Sequence, residues 1–296
     1  MPLALLAEIF SVIAPLVVLA GSGWVWAKRG KPYQVDQISL LVTNFGTPCL
    51  VIHSLLNADV DRGMIGTMAF ATLVAMVVFM AINAMMLRLM NLSVRDYVSG
   101  LTFPNAGNAG LSLSLFAYGQ PGLALGIVYF AVSSLSNFTI GQTILAGRGN
   151  LGAVLRSPMI YAVLIGITGN LLQLHPPLWV MRSLQVGGGI AIPLMLFTLG
   201  VSLATLKVND LKRGLLLSGL RLAVGVAAGF GLSWLLGLEG VARGVFIIQC
   251  AMPVAVVNYI FAVRYNRDPQ TMASLVVIST LLSFATLPAL LAFVLR

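Results

Sequence analysis

Long apolar stretches alternate along this chain with short polar gaps. A membrane-spanning helix needs roughly 20 mostly apolar residues, and ten stretches of about that size occur: 5–27, 35–57, 64–88, 97–118, 121–146, 156–174, 178–206, 213–237, 241–264 and 270–295. The seventh is long and holds Gly187-Gly188-Gly189, so a tilt or kink is expected within it. Two stretches are damaged in their middles. The fourth reads Phe103-Pro104-Asn105-Ala106-Gly107-Asn108-Ala109-Gly110-Leu111-Ser112, and the ninth reads Met252-Pro253-Val254-Ala255-Val256-Val257-Asn258-Tyr259. In lipid, a backbone group without a partner costs several kcal/mol. A chain that breaks two spanning helices at matching points is expected to use the freed backbone to hold something, as transporters do at their midplane sites.

Composition fits a membrane protein. The chain is 59% hydrophobic and 8% charged, against about 25% charged residues in a soluble domain. Cys49 and Cys250 both lie within apolar stretches, where a thiol behaves as a small hydrophobe. Neither is read as a disulfide or a metal ligand, and no cofactor is expected. The first basic residue is Lys28, so the positive segment that opens a secretory signal is missing.

The net charge of +9 changes the picture only through its placement. The basic residues sit in short gaps and form no single patch, so a nucleic-acid partner is not expected. With the N-terminus outside, 13 of the 17 Lys and Arg fall in the inner gaps, Arg221 counted among them, and 4 fall outside. Cytoplasmic gaps carry the excess of positive charge, so both termini are expected on the outer face of the membrane.

Five spans per half is an odd number, so a second half that repeats the first must be inverted. The expected repeats are 1–148 and 149–296. Pro48, preceded by Asn44-Phe45-Gly46-Thr47, is mirrored by Pro193 at an offset of 145 residues, and Pro104 by Pro253 at an offset of 149. Tyr118 and Pro121 follow the first break as Tyr265 and Pro269 follow the second. Inverted repeats of this kind are a known basis for alternating access. Gly107 and Gly110 allow close approach of another backbone, with the ninth span as the expected partner.

The candidate chemistry is neutral. Asn105 and Asn108 can bind a carboxylate through their amide N–H groups or a cation through their carbonyls, or can simply tie helices together. The half-helix N-terminus exposed by the break attracts anions. Ser112, Ser114, Gln249 and Asn258 are further candidates, Ser114 being expected to bond back to its own helix. His53 can titrate near neutral pH and couple transport to protons, or remain a neutral scaffold residue. Glu8 is the one carboxylate well inside a stretch, with Asp36, Asp96, Asp210, Glu239 and Asp268 at edges and Asp59 and Asp61 in a gap. The lack of a deep acidic relay argues against an antiporter built on paired Asp residues. No Lys or Arg is expected at the midplane. No buried Asp pair, zinc motif, Ser–His spacing or phosphate-binding loop is visible, so neither an enzyme nor an ATP-driven pump is expected.

At these residues the chain resembles the auxin efflux carrier family, which includes bacterial organic-acid permeases and the plant PIN auxin transporters. The resemblance rests on Pro104-Asn105-Ala106-Gly107-Asn108-Ala109-Gly110, on Gln249-Cys250-Ala251-Met252-Pro253 with Phe261-Ala262, Tyr265-Asn266 and Pro269, and on Pro48 followed by His53. It implies an all-α membrane protein of ten helices in two inverted five-helix repeats, with broken helices four and nine crossing. Spans 1, 2, 6 and 7 would form a scaffold, and the others a transport domain moving as an elevator. It further implies a homodimer through the scaffold, in a bacterial inner membrane, carrying small organic anions such as mono- or dicarboxylates, malate and malonate among them, or auxin-like acids. A sodium-coupled symporter of the bile-acid type, which shares the crossed broken helices, is the alternative. The chain departs from the plant branch in having Ser112 and Asn258 where a second Pro stands at each crossing, no Asp–Lys pair in span three, and no long loop between the halves.

Overall fold

The computed structural model describes residues 3–57, 62–146, 158–208 and 210–295. Among them every regular element is a helix, apart from one bridge between Pro104 and Val254. In chain order the helices are α1 (Leu3–Lys28), α2 (Val35–Leu41), α3 (Thr47–Leu56), α4 (Arg62–Leu89), α5 (Val94–Thr102), α6 (Ser112–Ser136), α7 (Gln142–Ala146), α8 (Pro158–Leu171), α9 (Leu178–Gly189), α10 (Ala191–Thr205), α11 (Leu211–Leu235), α12 (Gly240–Cys250), α13 (Val256–Arg264) and α14 (Pro269–Val294). Three wide π-helical turns, Val42–Gly46, Ala106–Leu111 and Asn137–Gly141, join α2 to α3, lead into α6 and join α6 to α7.

Among the described residues seven stretches are long and apolar enough to cross a membrane: Ile9–Lys28, Val35–Leu56, Gly63–Leu89, Ala106–Leu145, Leu178–Thr205, Leu211–Leu235 and Pro269–Val294. Pro158–Leu171 and Gly240–Cys250 are shorter apolar helices. Ala106–Leu145 takes in parts of two expected spans. Its helical bonding is interrupted at Gly119, whose φ of 63° a side chain would disfavour, and Pro121 follows. After the triple glycine the helix turns irregular at Ile190, between α9 and α10, with its backbone still in the helical region at φ −77° and ψ −20°. Large apolar side chains such as Phe10, Phe70, Val77 and Trp234 are exposed, as lipid-facing side chains are. The protein is a multi-pass helical membrane protein.

Packing follows small residues. α1 lies along α10, where a methyl added at Gly23 would overlap the Phe197 carbonyl and one at Gly200 the Ala20 carbonyl. α3 packs on α8 and α9, and Gly188 meets the backbone of Leu50. α11 packs on α12 and α14, and α6 on α12 and α4.

Arg221 departs from its expected place. It stands in the middle of α11, fully buried, and not in an inner gap. It therefore leaves the inner tally, and the expectation of a midplane free of Lys and Arg is wrong. The expected span 213–237 already held Arg221 about two turns from its start, and the tally counted it with the inner gap that precedes that span. Asp59, Asp61, Arg148, Arg156, Arg296, the side chains of Glu8 and Arg62, and the 148/149 repeat boundary lie outside the described residues.

Candidate functional site

The two breaks meet. Pro104 cannot supply a helical N–H, and the residue before a proline is pushed out of the helical region; Phe103 is extended accordingly, at φ −97° and ψ 108°. Asn105, at φ −74° and ψ 56°, centres an inverse γ-turn closed by Ala106 N–H to the Pro104 carbonyl at 2.8 Å. Its own N–H donates to the Pro253 carbonyl at 2.8 Å. On the other strand the Val254 N–H donates to Ser279 Oγ at 3.0 Å. Asn258 Nδ2 donates to the Phe103 carbonyl at 3.2 Å, and Arg221 Nη2 to the Cys250 carbonyl at 3.1 Å. The backbone groups freed by breaking two helices are thus taken up by each other and by three side chains, as a buried backbone requires.

A cavity of about 630 Å³ opens against this crossing. The crossing contributes Pro104, Asn105, Gly107 and Asn108 from one break and Ala255, Val256 and Val257 from the other. α6 and its π-turn add Ser133, Ser134 and Asn137. The facing wall comes from Asp36, Ser39, Thr43 and Thr47, with Met159, Met195 and Thr198. All three π-turns reach the lining, and such turns are frequent at functional sites because they displace side chains from the regular helical face. Asp36 is the one ionisable side chain in the lining among the described residues. Asn105 is buried, and its Nδ2 has no hydrogen-bond partner.

The candidates read from the sequence separate into two sets. Pro104, Asn105, Gly107 and Asn108 line the cavity. Asn258 lies just behind it, accepting from Asn137 Nδ2 at 3.2 Å while donating to Phe103. Gln249 is deeper and donates to Ser114 Oγ at 3.3 Å, and a methyl on Gly110 would overlap its amide. Gly110 thus meets the ninth span as expected, but Gly107 meets Phe130 instead. The crossing itself lies at Pro104 and Val254, not at Ser112, whose hydroxyl bonds back to the Asn108 carbonyl at 2.8 Å. Ser112 thus makes the local bond expected of Ser114. Pro253 accepts the crossing hydrogen bond. Asn44 is exposed in the first π-turn, Pro48 opens α3, and His53 is half-buried in α3; none of the three lines the cavity.

Asn137, Ser279 and Arg221 were missed as site residues. Asn137 was detectable as an amide inside an apolar span. Ser279 was not, because most serines in apolar helices bond to their own backbone. Among the described residues no three His, Cys, Asp or Glu side chains gather as metal ligands.

Residues 151–291 match the family described as Membrane transport protein. An uncharacterized transporter of Methanothermobacter thermautotrophicus is 28% identical over 193 residues, 62% of this chain and 63% of the relative. Auxin efflux carrier component 1 of Arabidopsis thaliana is 28% identical over 137 residues, 44% of this chain and 22% of the relative. A Rhizobium meliloti protein named as a candidate malonate transporter is 24% identical over 203 residues, 64% of this chain and 63% of the relative. Each match spans less than two thirds of the relative's length. With the two interlocked helix breaks, these matches make the chain similar, over part of its length, to membrane transport proteins that include auxin efflux carriers.

Proposed function

We propose that the chain is a secondary transporter of small organic anions, with the cavity at the crossing as its substrate site. The observation that carries this reading is Asn105, buried in the cavity wall with an Nδ2 donor left open. A buried donor without an acceptor is costly, and a carboxylate oxygen supplies the acceptor. Asn108 and Ser134 offer further neutral groups, and the half-helix ends at Ala106 and Val256 add partial positive charge. A site of this kind holds an anion without a lining cation, so release stays easy. Both the auxin named for the Arabidopsis relative and the malonate named for the Rhizobium relative are acids.

The finer reading is an elevator of two inverted five-helix repeats, 1–148 and 149–296, with spans 1, 2, 6 and 7 as a homodimeric scaffold. Its support is the pairing of α1 with α10 and of α3 with α8 and α9 on one side of the cavity, and the grouping of α6, α11, α12 and α14 on the other. The proposed setting is a bacterial inner membrane with both termini outside. The partners are the lipid bilayer, the organic anion and a coupling proton or sodium ion.

The test is uptake into proteoliposomes of purified protein, with malonate and an indole carboxylic acid as probes, with and without sodium, at two pH values. Saturable uptake is expected, lowered at least tenfold by Asn105→Ala. Equal flux in that variant removes the crossing as the site. A strict sodium requirement moves the reading to a symporter of the bile-acid type.

A further inference from the structure

Among the described residues Arg221 is a buried cation without an anion. It is the one charged side chain that is fully buried among the described residues. Its Nη2 reaches the Cys250 carbonyl, its guanidinium lies 5.0 Å from the centre of the Phe79 ring, and its Nε and Nη1 have no hydrogen-bond partner. Among the described residues the ion pairs link Arg213 with Asp210 and Asp268, and Arg267 with Asp96; none includes Arg221. Buried charges are normally paired, because removing a charge from water costs several kcal/mol. α11 is also pressed onto this point. A methyl at Gly225 would overlap the Cys250 carbonyl, and Gly229 faces the Cys250 side chain.

The position has an electrostatic meaning. Each broken helix brings a negative C-terminal end and a positive N-terminal end to the crossing. The negative ends are Phe103, after α5, and Cys250, closing α12. Asn258 covers the first, and the full charge of Arg221 covers the second. The positive ends, near Gly107 and Val256, lie in the cavity wall, as does Asn105, whose Nδ2 has no partner.

We propose that Arg221 sets the charge selectivity of this cavity from behind the crossing, cancelling the negative end of α12 and leaving a positive potential for an anionic ligand. Without it the lining would be governed by Asp36 and would favour cations. The inference rests on the cavity being a site for organic anions, but its test needs no transported substrate. Cys250 lies five residues before Ala255, which lines the cavity, at most ~18 Å along the chain. A unit charge ~18 Å away, at an effective dielectric constant of ~20, changes the local concentration of a monovalent ion about fivefold.

The experiment places a thiol in the cavity as Ser134→Cys, in a Cys49→Ser background, with Cys250 protected by its burial. Reaction rates are measured with a sulfonate-bearing and a trimethylammonium-bearing methanethiosulfonate, each normalised to its rate with a small free thiol. With Arg221 present the anionic reagent should be favoured. Arg221→Gln, which keeps a donor for Cys250, should lower the ratio of anionic to cationic rate by about twentyfold, the two ions responding in opposite directions, and Arg221→Lys should largely retain it. An unchanged ratio in Arg221→Gln, or a cationic preference with Arg221 intact, overturns the proposal. The second measurement decides alone if Arg221→Gln does not fold. Anionic preference without uptake of any organic anion would overturn the transport reading and leave this one standing.

Discussion

The Asn105 N–H and the Pro253 carbonyl are hydrogen-bonded at 2.8 Å, so one broken helix supplies the partner that the other lost. The bond fixes the register of the crossing. Once it is made, Asn105 is held in the cavity wall with its Nδ2 donor unshared, and Asn258 comes within reach of the Phe103 carbonyl.

Asn258 is expected to be the structural keystone of that register. Asn258→Ala leaves the Phe103 carbonyl and Asn137 Nδ2 without their present partners, at about 1–3 kcal/mol for each buried group. The thermal midpoint of the purified protein should fall together with uptake. Asn105→Ala, which removes a side chain with an already open donor, should lower uptake with little change in midpoint. Identical behaviour of the two variants would refute this division of roles.

Gly110 and Gln249 form a steric pair. Gly110→Ala drives a methyl into the Gln249 amide, and overpacking of this kind typically costs about 1–3 kcal/mol. Adding Gln249→Ala should recover much of the loss, giving a clear coupling energy in a double-mutant cycle of thermal or denaturant stability. Additive losses would mean that the two residues do not meet.

Pro48 shapes the cavity without touching it. It has no N–H to offer the Asn44 carbonyl, and the turn before it is widened, with Thr47 N–H bonding back to Val42. Pro48→Ala restores the donor and should let Val42–Gly46 tighten, rotating Thr43 away from the lining. The expected result is a raised KM for uptake with stability changed by less than about 1 kcal/mol, read from transport kinetics beside a melting curve.

At one rim of the molecule, Asp268 caps α14 by accepting the Thr271 N–H, and its carboxylate also takes the Tyr97 hydroxyl and lies 3.9 Å from Arg213. Burial pushes its pKa up, but the hydrogen bonds from Tyr97 and Thr271 and the Arg213 charge outweigh this and hold it below the usual carboxylate value. A depressed carboxylate stabilises the fold above its unfolded pKa of about 3.9, and this contribution is lost as pH falls through the lower folded value. Thermal midpoints should therefore be insensitive to this group from pH 5 to 8 and drop below about pH 4. Asp268→Asn keeps the cap and the left-handed backbone while removing the charge, so it should flatten the acid limb. An unchanged acid limb would assign the pH dependence elsewhere.

Much of this was legible in the chain, for identifiable reasons. Apolar runs located the helices because lipid demands length and apolarity together, and Pro104 and Pro253 located the breaks because a proline cannot donate. Asn105 and Asn108 reach the lining since they follow the break directly. Arg221 was misplaced because the charge tally assigned to the inner gap a residue that its own apolar span, 213–237, already enclosed. Asn137 and the π-turn at Asn137–Gly141 were missed because no proline marks them, and their width comes from tertiary packing. Ser112 drew attention by motif position, while the spatial crossing falls about two turns earlier.

The bridge between Asn105 and Pro253 also bears on how the protein is made. The two residues lie about half the chain apart, so the first break emerges from the ribosome long before its partner exists. Until the later segment inserts, the Asn105 N–H must be held by water or by a transient neighbour, because lipid offers it nothing. Closing a contact over so many residues costs loop entropy and slows folding. Membrane insertion of the first half alone is therefore expected to give a species open to proteolysis near Asn105, converted to a resistant form when the second half is supplied as a separate chain.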